Sequence, residues 1–136
     1  MIESFNPDKS HLDIKSQITI INKLAKDELY REANQTVLKP LWECLARHFC
    51  EYKNLMRLQK EQIGLLIWSF GHSDIDVVKA KQRLWNSIEM FILNKVGLKK
   101  FNGFTISQIT YGLSKSGQGS KEFWNAISEN YINQSQ

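Results

Sequence analysis

The chain has 136 residues, of which 42% are hydrophobic and 24% charged, and its formal net charge is +4. This length suffices for one compact domain but not for two of ordinary size. Four Trp, four Tyr and seven Phe supply enough apolar surface to offset the ordering entropy, which argues against intrinsic disorder. Because no stretch approaches the ~20 consecutive apolar residues of a membrane helix, we expect no membrane span.

The first residues carry no recognisable targeting signal. They contain neither the apolar core of a secretory signal nor the arginines of a mitochondrial presequence, since Arg31 is the first arginine. An internal signal, or a start at an already processed end, stays open as an alternative. We expect residues 1–11 to form an N-terminal extension and residues 12–136 to form a single helical-repeat domain.

Three similar tripeptides recur along the chain: Leu41-Trp42-Glu43, Leu84-Trp85-Asn86 and Phe123-Trp124-Asn125. Large apolar residues follow four and eight positions after the first residue of each. They are Leu45 and Phe49, Ile88 and Ile92, and Ile127 and Tyr131. This spacing indicates one apolar face of a helix, and the regular place of each Trp beside it favours core packing over base stacking.

A second series of similar segments alternates with the first. Residues 16–19 read SQIT and recur unchanged at 107–110, and residues 64–67, GLLI, lie at the corresponding place between them. The pattern predicts six helices, over 12–26, 38–55, 59–70, 74–96, 105–116 and 120–133. The apolar run at 63–70 is also compatible with a short buried strand, but the absence of a hairpin signal beside it favours a helix.

Several residues are typical of helix ends. Pro40 suits the first turn of a helix, and Gly71 and Gly97 suit helix C-termini. Ser73 or Asp74 is predicted to cap the following helix. In the last third of the chain, Thr105 and Ser120 are the expected N-caps, and Gly117 or Gly119 the expected terminator.

Helix pairs that cannot bury their apolar faces alone stack side by side. We therefore predict an all-α fold, a short α-solenoid of about three antiparallel helix pairs. In so short a stack the end helices have few neighbours to cover them, which predicts docking onto another protein. The apolar residues concerned are Ile18, Ile20, Ile21 and Leu24 in the first helix and Phe123, Trp124 and Ile127 in the last.

The repeated segments resemble a known group of proteins. Residues 65–74, LLIWSFGHSD, resemble the repeat of the FAST-kinase-like, heptatricopeptide and octotricopeptide helical-repeat proteins. Residues 111–117, YGLSKSG, followed by FWNAI at 123–127, resemble the same unit, so the likeness spans roughly residues 14 to 131. It implies organellar RNA binding, RNA processing or membership of mitochondrial ribosomes and related assemblies. A mitochondrial location is thus expected, with the cytoplasm as the alternative.

Basic residues are concentrated between Lys79 and Lys100, where six stand against one acid, Glu89. A basic helix face can hold RNA phosphates, although a solvated helix face has the same composition. Arg47 and Asn86 join the candidates because residues two and six positions after each repeat's first apolar residue point away from the core. The predicted RNA-binding residues are Arg47, Lys79, Lys81, Arg83, Asn86, Lys95, Lys99 and Lys100.

The other reactive side chains do not form a recognisable site. Cys44 and Cys50 point to different sides of one predicted helix, so we expect no bond between them. The three histidines lack the spacing of metal ligands. We expect no catalytic residues, metal, cofactor or small-molecule substrate. The leading hypothesis is a non-catalytic scaffold or accessory subunit of a larger assembly, such as a mitochondrial ribonucleoprotein or respiratory-type complex. Its partners would be other protein subunits, and RNA is the alternative partner.

Overall fold

The computed structural model describes residues 13–135, with side chains up to residue 130. Every regular element in this range is helical, which confirms the all-α class. The predicted extension over residues 1–11 lies outside the described residues. The α-helices are α1 (Ile14–Lys26), α2 (Arg31–Gln35), α3 (Lys39–His48), α4 (Tyr52–Leu55), α5 (Lys60–Ser73), α6 (Asp76–Lys79), α7 (Gln82–Met90), α8 (Gly103–Lys115) and α9 (Lys121–Ser135). A π-helical segment, Phe91–Val96, continues α7, and 3-10 turns occupy Glu28–Tyr30 and Leu98–Lys100.

Both long predicted helices are broken, so the predictions for 38–55 and 74–96 are wrong in detail. The first break separates α3 from α4, where the Asn54 side chain donates to the carbonyl of His48 at 2.7 Å. The second separates α6 from α7, where the indole of Trp85 donates to the carbonyl of Val78 at 3.0 Å. In each case a buried side chain adds a hydrogen bond to a carbonyl in the last turn of a helix, which also accepts from the backbone N–H three residues further on.

Some predicted helix ends are confirmed. Pro40 lies in the first turn of α3, and Gly97, with a φ of 88°, ends the π-helical segment. The Ser120 hydroxyl accepts from the backbone N–H of Phe123 at 3.1 Å at the start of α9. Gly117, with a φ of 68°, follows the end of α8.

Other predicted helix ends are wrong. Helix α5 continues past Gly71 to Ser73, and Asp74 ends it with a left-handed φ of 54°. Neither Ser73 nor Asp74 caps the next helix, α6, because the N-cap of α6 is Ile75. Asn102, and not Thr105, caps α8, since its side chain accepts from the backbone N–H of Thr105 at 2.8 Å.

Helix α5 lies between α1 and α8 and packs against both. Its glycines allow the approach to α8. A Cβ added to Gly71 would lie 2.5 Å from the carbonyl oxygen of Gly112, and one added to Gly112 would overlap the carbonyl of Ile67. Gly71 is therefore a packing residue, because a side chain there would separate the two backbones.

Two of the three recurrent tryptophans, Trp42 and Trp85, lie in the core. Trp42 and Trp85 are completely buried, and both contact Phe70 edge to face, with ring centroids 6.1 and 6.3 Å apart. The indole of Trp42 donates to Asn34 Oδ1 at 3.0 Å, as that of Trp85 does to a backbone carbonyl. Core packing is thus confirmed for these two. Trp124 is only half-buried and lies over Gly119.

The end helices expose less apolar surface than expected. Ile18 and Ile21 of α1 are buried, as are Phe123 and Ile127 of α9. Leu24 and Trp124 are partly buried, and Ile20 has 41% of its surface exposed. The expectation of bare apolar ends is therefore largely wrong. Within residues 13–135, no helix has both the length and the apolar character needed to cross a bilayer.

Candidate interaction surfaces

Three of the eight predicted RNA-binding residues are in surface ion pairs. Lys79 Nζ lies 3.0 Å from Asp74 Oδ1, and Arg83 Nη2 lies 3.0 Å from Glu51 Oε1. Arg47 Nη1 lies 3.8 Å from an oxygen of Glu43. Such exposed pairs contribute little stability. They do place a carboxylate beside each cation, which weakens the positive field on this side of the molecule.

Asn86 and Lys81 are two more of the predicted RNA-binding residues. Asn86 is exposed and accepts from the Gln82 side chain at 3.0 Å. Lys81 lies near the thiol of Cys50. Burial raises the pKa of this thiol, and the positive charges of Lys81 and Arg83 offset that rise only in part. Cys50 is therefore a poor nucleophile at neutral pH. As expected, no disulfide joins it to Cys44.

The remaining three lysines, Lys95, Lys99 and Lys100, are exposed around Gly97. Lys99 and Lys100 border a cleft of about 420 Å³ against α9, whose apolar lining includes Leu93 and Ala126. The eight predicted residues are thus spread from α3 to this cleft. Whether they bind RNA stays a prediction.

Glu89, the acid of the basic segment, does not lie on its surface. It is buried, and one of its carboxylate oxygens accepts from the backbone N–H of Ser120 at 2.8 Å and from the Ser120 hydroxyl at 2.9 Å. A carboxylate at this position also interacts favourably with the N-terminus of α9. Its function is thus structural, since it ties α7 to α9.

A different surface, which the sequence did not predict, lies across α1, α5 and α8. We call this open cavity of about 450 Å³ the aromatic groove. Phe104 stands at its edge with 71% of its surface exposed, and Tyr111 is 38% exposed. The residues that line the groove are Asn22, Lys26, Leu65, Trp68, Phe104, Ser107, Gln108 and Tyr111.

A stack of rings forms one wall of the aromatic groove. The Trp68 and His72 rings are nearly parallel, with centroids 4.4 Å apart, and Tyr111 stacks on Trp68 at 5.7 Å. His72 Nδ1 and the Tyr111 hydroxyl are 2.8 Å apart and hydrogen-bonded. The contact shows that Trp68 and Tyr111, which match in the sequence pattern, pack against each other between α5 and α8. The contact leaves both rings partly exposed.

The helices on either side of the aromatic groove are basic. Helices α1 and α8 contain lysines and no acidic residue, and Glu61 is the acid of α5. The exposed lysines of the two flanking helices are Lys15, Lys23, Lys26 and Lys115. The groove therefore combines an apolar lining with one cation, Lys26, and the helices on either side of it carry further exposed lysines.

Beyond Tyr111 the surface becomes polar. A smaller cavity of about 150 Å³ there is bordered by acids and bases, including Asp27, Arg31 and Asp74. The Gln35 side chain crosses this region and donates to the carbonyl oxygens of Ser73 and Asp74 at 3.1 and 3.2 Å. The apolar part of this face thus ends at the ring stack.

Among residues 13–135, no three His, Cys, Asp or Glu side chains come together as metal ligands would. The chain matches no protein-family model, no curated protein and no solved structure.

Proposed function

We propose that the chain is a non-catalytic helical-repeat scaffold or accessory subunit of a larger assembly. The observation that carries this proposal is the aromatic groove, where Phe104 and Tyr111 are exposed and Trp68 is partly exposed. Aromatic residues are enriched in the buried cores of protein interfaces, and contiguous apolar patches mark interaction sites. In a subunit, this face would be covered by a neighbour.

The proposed architecture is a short α-solenoid of three antiparallel helix pairs. Contacts between the central helices support it. Asn22 of α1 bonds Ser69 of α5, and along the α5–α8 contact Gly64 lies near Gln108 and Gly71 near Gly112. Residue numbers increase together along this contact, so α5 and α8 run in the same direction. Equivalent helices of successive repeats are related in this way.

The resemblance to FAST-kinase-like, heptatricopeptide and octotricopeptide repeats suggests where such an assembly would be found. On this basis we propose a mitochondrial ribonucleoprotein or respiratory-type complex, with other protein subunits as partners. The supporting residues are the repeat segments at 65–74, 111–117 and 123–127.

Size measurement in native extract tests the scaffold proposal. The epitope-tagged chain should sediment well above its 15.9 kDa monomer mass and cross-link to the same protein subunits in independent preparations. The control is the purified chain in buffer, which should sediment alone. A chain that is monomeric in native extract, even with cross-linking, would contradict a scaffold function.

RNA binding is the second candidate function, and the exposed lysines around the cleft at Gly97 favour it. Combined Lys95→Glu, Lys99→Glu and Lys100→Glu substitutions should abolish binding of single-stranded RNA in a gel-shift assay at low salt. Lys53→Glu, an exposed change on α4, is the control. For the unmodified chain, log K should fall with log salt by about 0.7 per phosphate contacted. No RNA shift at low salt would exclude this function.

A further inference from the structure

We propose that the aromatic groove binds an acidic segment of a partner protein. The segment inserts a large apolar side chain between Phe104 and Trp68 and places a carboxylate beside Lys26. This inference rests on the proposed scaffold function and specifies the chemistry of one partner.

The cavity has the size and lining of a side-chain pocket. About 450 Å³ lies within the range of pockets that bind small groups, and Leu65, Trp68, Phe104 and Tyr111 make its lining largely apolar. Phe104 lies in the first turn of α8 and is 71% exposed, so packing within the chain does not account for it. An inserted apolar side chain would remove this ring from water, which is the main driving force for such contacts.

The polar lining of the groove suits a polypeptide. Asn22 and Gln108 present carboxamides, each of which has both donor and acceptor groups. A peptide backbone likewise offers an N–H donor and a carbonyl acceptor at each residue. The Asn22 amide is already positioned, because its Nδ2 donates to Ser69 Oγ at 3.2 Å. These amides can fix the direction of a bound segment.

Charge complementarity makes the segment acidic. Lys26 lines the cavity, and α1, which flanks it, also carries the exposed Lys15 and Lys23 and no carboxylate. Lys115 of α8 borders the smaller cavity, and Glu61 is the acid of α5. Complementary charge speeds association and disfavours wrong partners, in this case basic ones. Asp27 and Glu28 lie beyond the ring stack, beside the smaller cavity, and not in the lining of the aromatic groove.

The geometry favours a peptide over single-stranded RNA. RNA sites of this kind offer aromatic faces for successive bases together with a basic track along the backbone. Here His72 and Tyr111 both stack on Trp68 and are hydrogen-bonded to each other. The lining of the groove contains a single cation, Lys26. RNA is therefore the competing outcome in the test.

Selection from a displayed library of random peptides, about 12 residues long, tests the proposal and does not require the partner to be identified first. Enriched sequences should combine Asp or Glu with Phe, Leu, Ile or Trp. For a synthetic peptide of the enriched sequence, Phe104→Ser should raise the Kd about tenfold or more in fluorescence anisotropy. Lys26→Glu should also raise the Kd, and high salt should reduce the difference.

Matched variants separate binding from folding. Met90→Ser removes a side chain that is 57% exposed on α7, and Lys53→Glu changes an exposed charge on α4, so neither should alter the Kd. All variants should keep the thermal midpoint of the unmodified chain, because the substituted side chains are exposed. A poly(U) oligonucleotide serves as the competitor.

Several results would overturn the proposal. One is that no peptide is enriched, or that the enriched peptides are basic. Another is that the peptide binds the Phe104→Ser variant and the unmodified chain with the same Kd. The third is that the groove binds poly(U) and not the peptide. The scaffold function is assessed separately with the same variant in native extract. If the Phe104→Ser chain stays in a large assembly, the scaffold function holds, and the proposal that the aromatic groove binds the partner is refuted. A monomeric unmodified chain would refute the scaffold itself.

Discussion

Replacing Gly112 by alanine is expected to destabilise the fold by about 3 kcal/mol, because the new methyl group would overlap the backbone of α5. The Cβ would lie 2.6 Å from the carbonyl carbon of Ile67, and it would also meet that residue's carbonyl oxygen. These are main-chain atoms of a buried helix and cannot rotate away as the end of a side chain can. To accommodate alanine, α5 and α8 must separate, and the packing around Ile109 and Leu113 would loosen.

Urea denaturation followed by circular dichroism measures this change. The matched control is Gly103→Ala in the same helix, where an added Cβ meets nothing within 4 Å. Alanine there should be neutral or stabilise the fold by up to about 1 kcal/mol, because it lowers the entropy of the unfolded chain. The Gly112→Ala variant should melt roughly 10 °C lower. Equal stability of the two variants would mean that the α5 and α8 backbones are not in contact.

Gly71 shows why sequence reasoning placed some helix ends wrongly. Glycine is common after the last turn of a helix, and it is also required where two backbones meet. A single sequence does not separate these two uses, because the second depends on a residue far along the chain, here Gly112. The recurrent apolar spacing, by contrast, is local to each helix, and it predicted the all-α class and the burial of Trp42 and Trp85 correctly.

The breaks in the long helices have a similar origin. The apolar spacing continues across residues 49–51, so it predicts one helix over 38–55, and the helix predicted over 74–96 spans the mostly polar residues 79–83, KAKQR. The interruptions are stabilised by buried hydrogen bonds of Asn54 and Trp85 to helix-end carbonyls. Tertiary contacts of this kind override local preference, and the pattern of apolar residues contains no record of them.

The candidate surfaces depend even more on distant residues. Counting charges along the chain gave a basic segment, but Arg83 pairs with Glu51, which is 32 residues away. The aromatic groove takes residues from three helices, so no single segment reveals it. One signal was present in the sequence: Trp68 and Tyr111 match in the repeat, and Phe104 precedes Tyr111 by two helical turns on the same face.

Replacing Phe70 by alanine is expected to have the largest effect of all, a loss of about 4 kcal/mol in the free energy of unfolding. Phe70 is completely buried and lies between Trp42 and Trp85, with edge-to-face contacts to both. Its removal leaves a cavity between Trp42 and Trp85, and it also deletes aromatic contacts worth about 1 kcal/mol each. A loss of this size is a large share of the ~5–15 kcal/mol that stabilises an ordinary domain.

The same substitution on the surface provides the control. Phe104→Ala removes an identical group from a ring that is 71% exposed, so its effect on stability should be within about 0.5 kcal/mol. The loss in the free energy of unfolding for Phe70→Leu should lie between those for Phe70→Ala and Phe104→Ala, since leucine fills most of the space but makes no ring contacts. In a double-mutant cycle, Phe70→Leu and Trp85→Phe should show a coupling energy of about 0.5 kcal/mol or more. Additive effects would mean that the two rings are not in contact, and that the tryptophan-bearing helices do not share a core through α5.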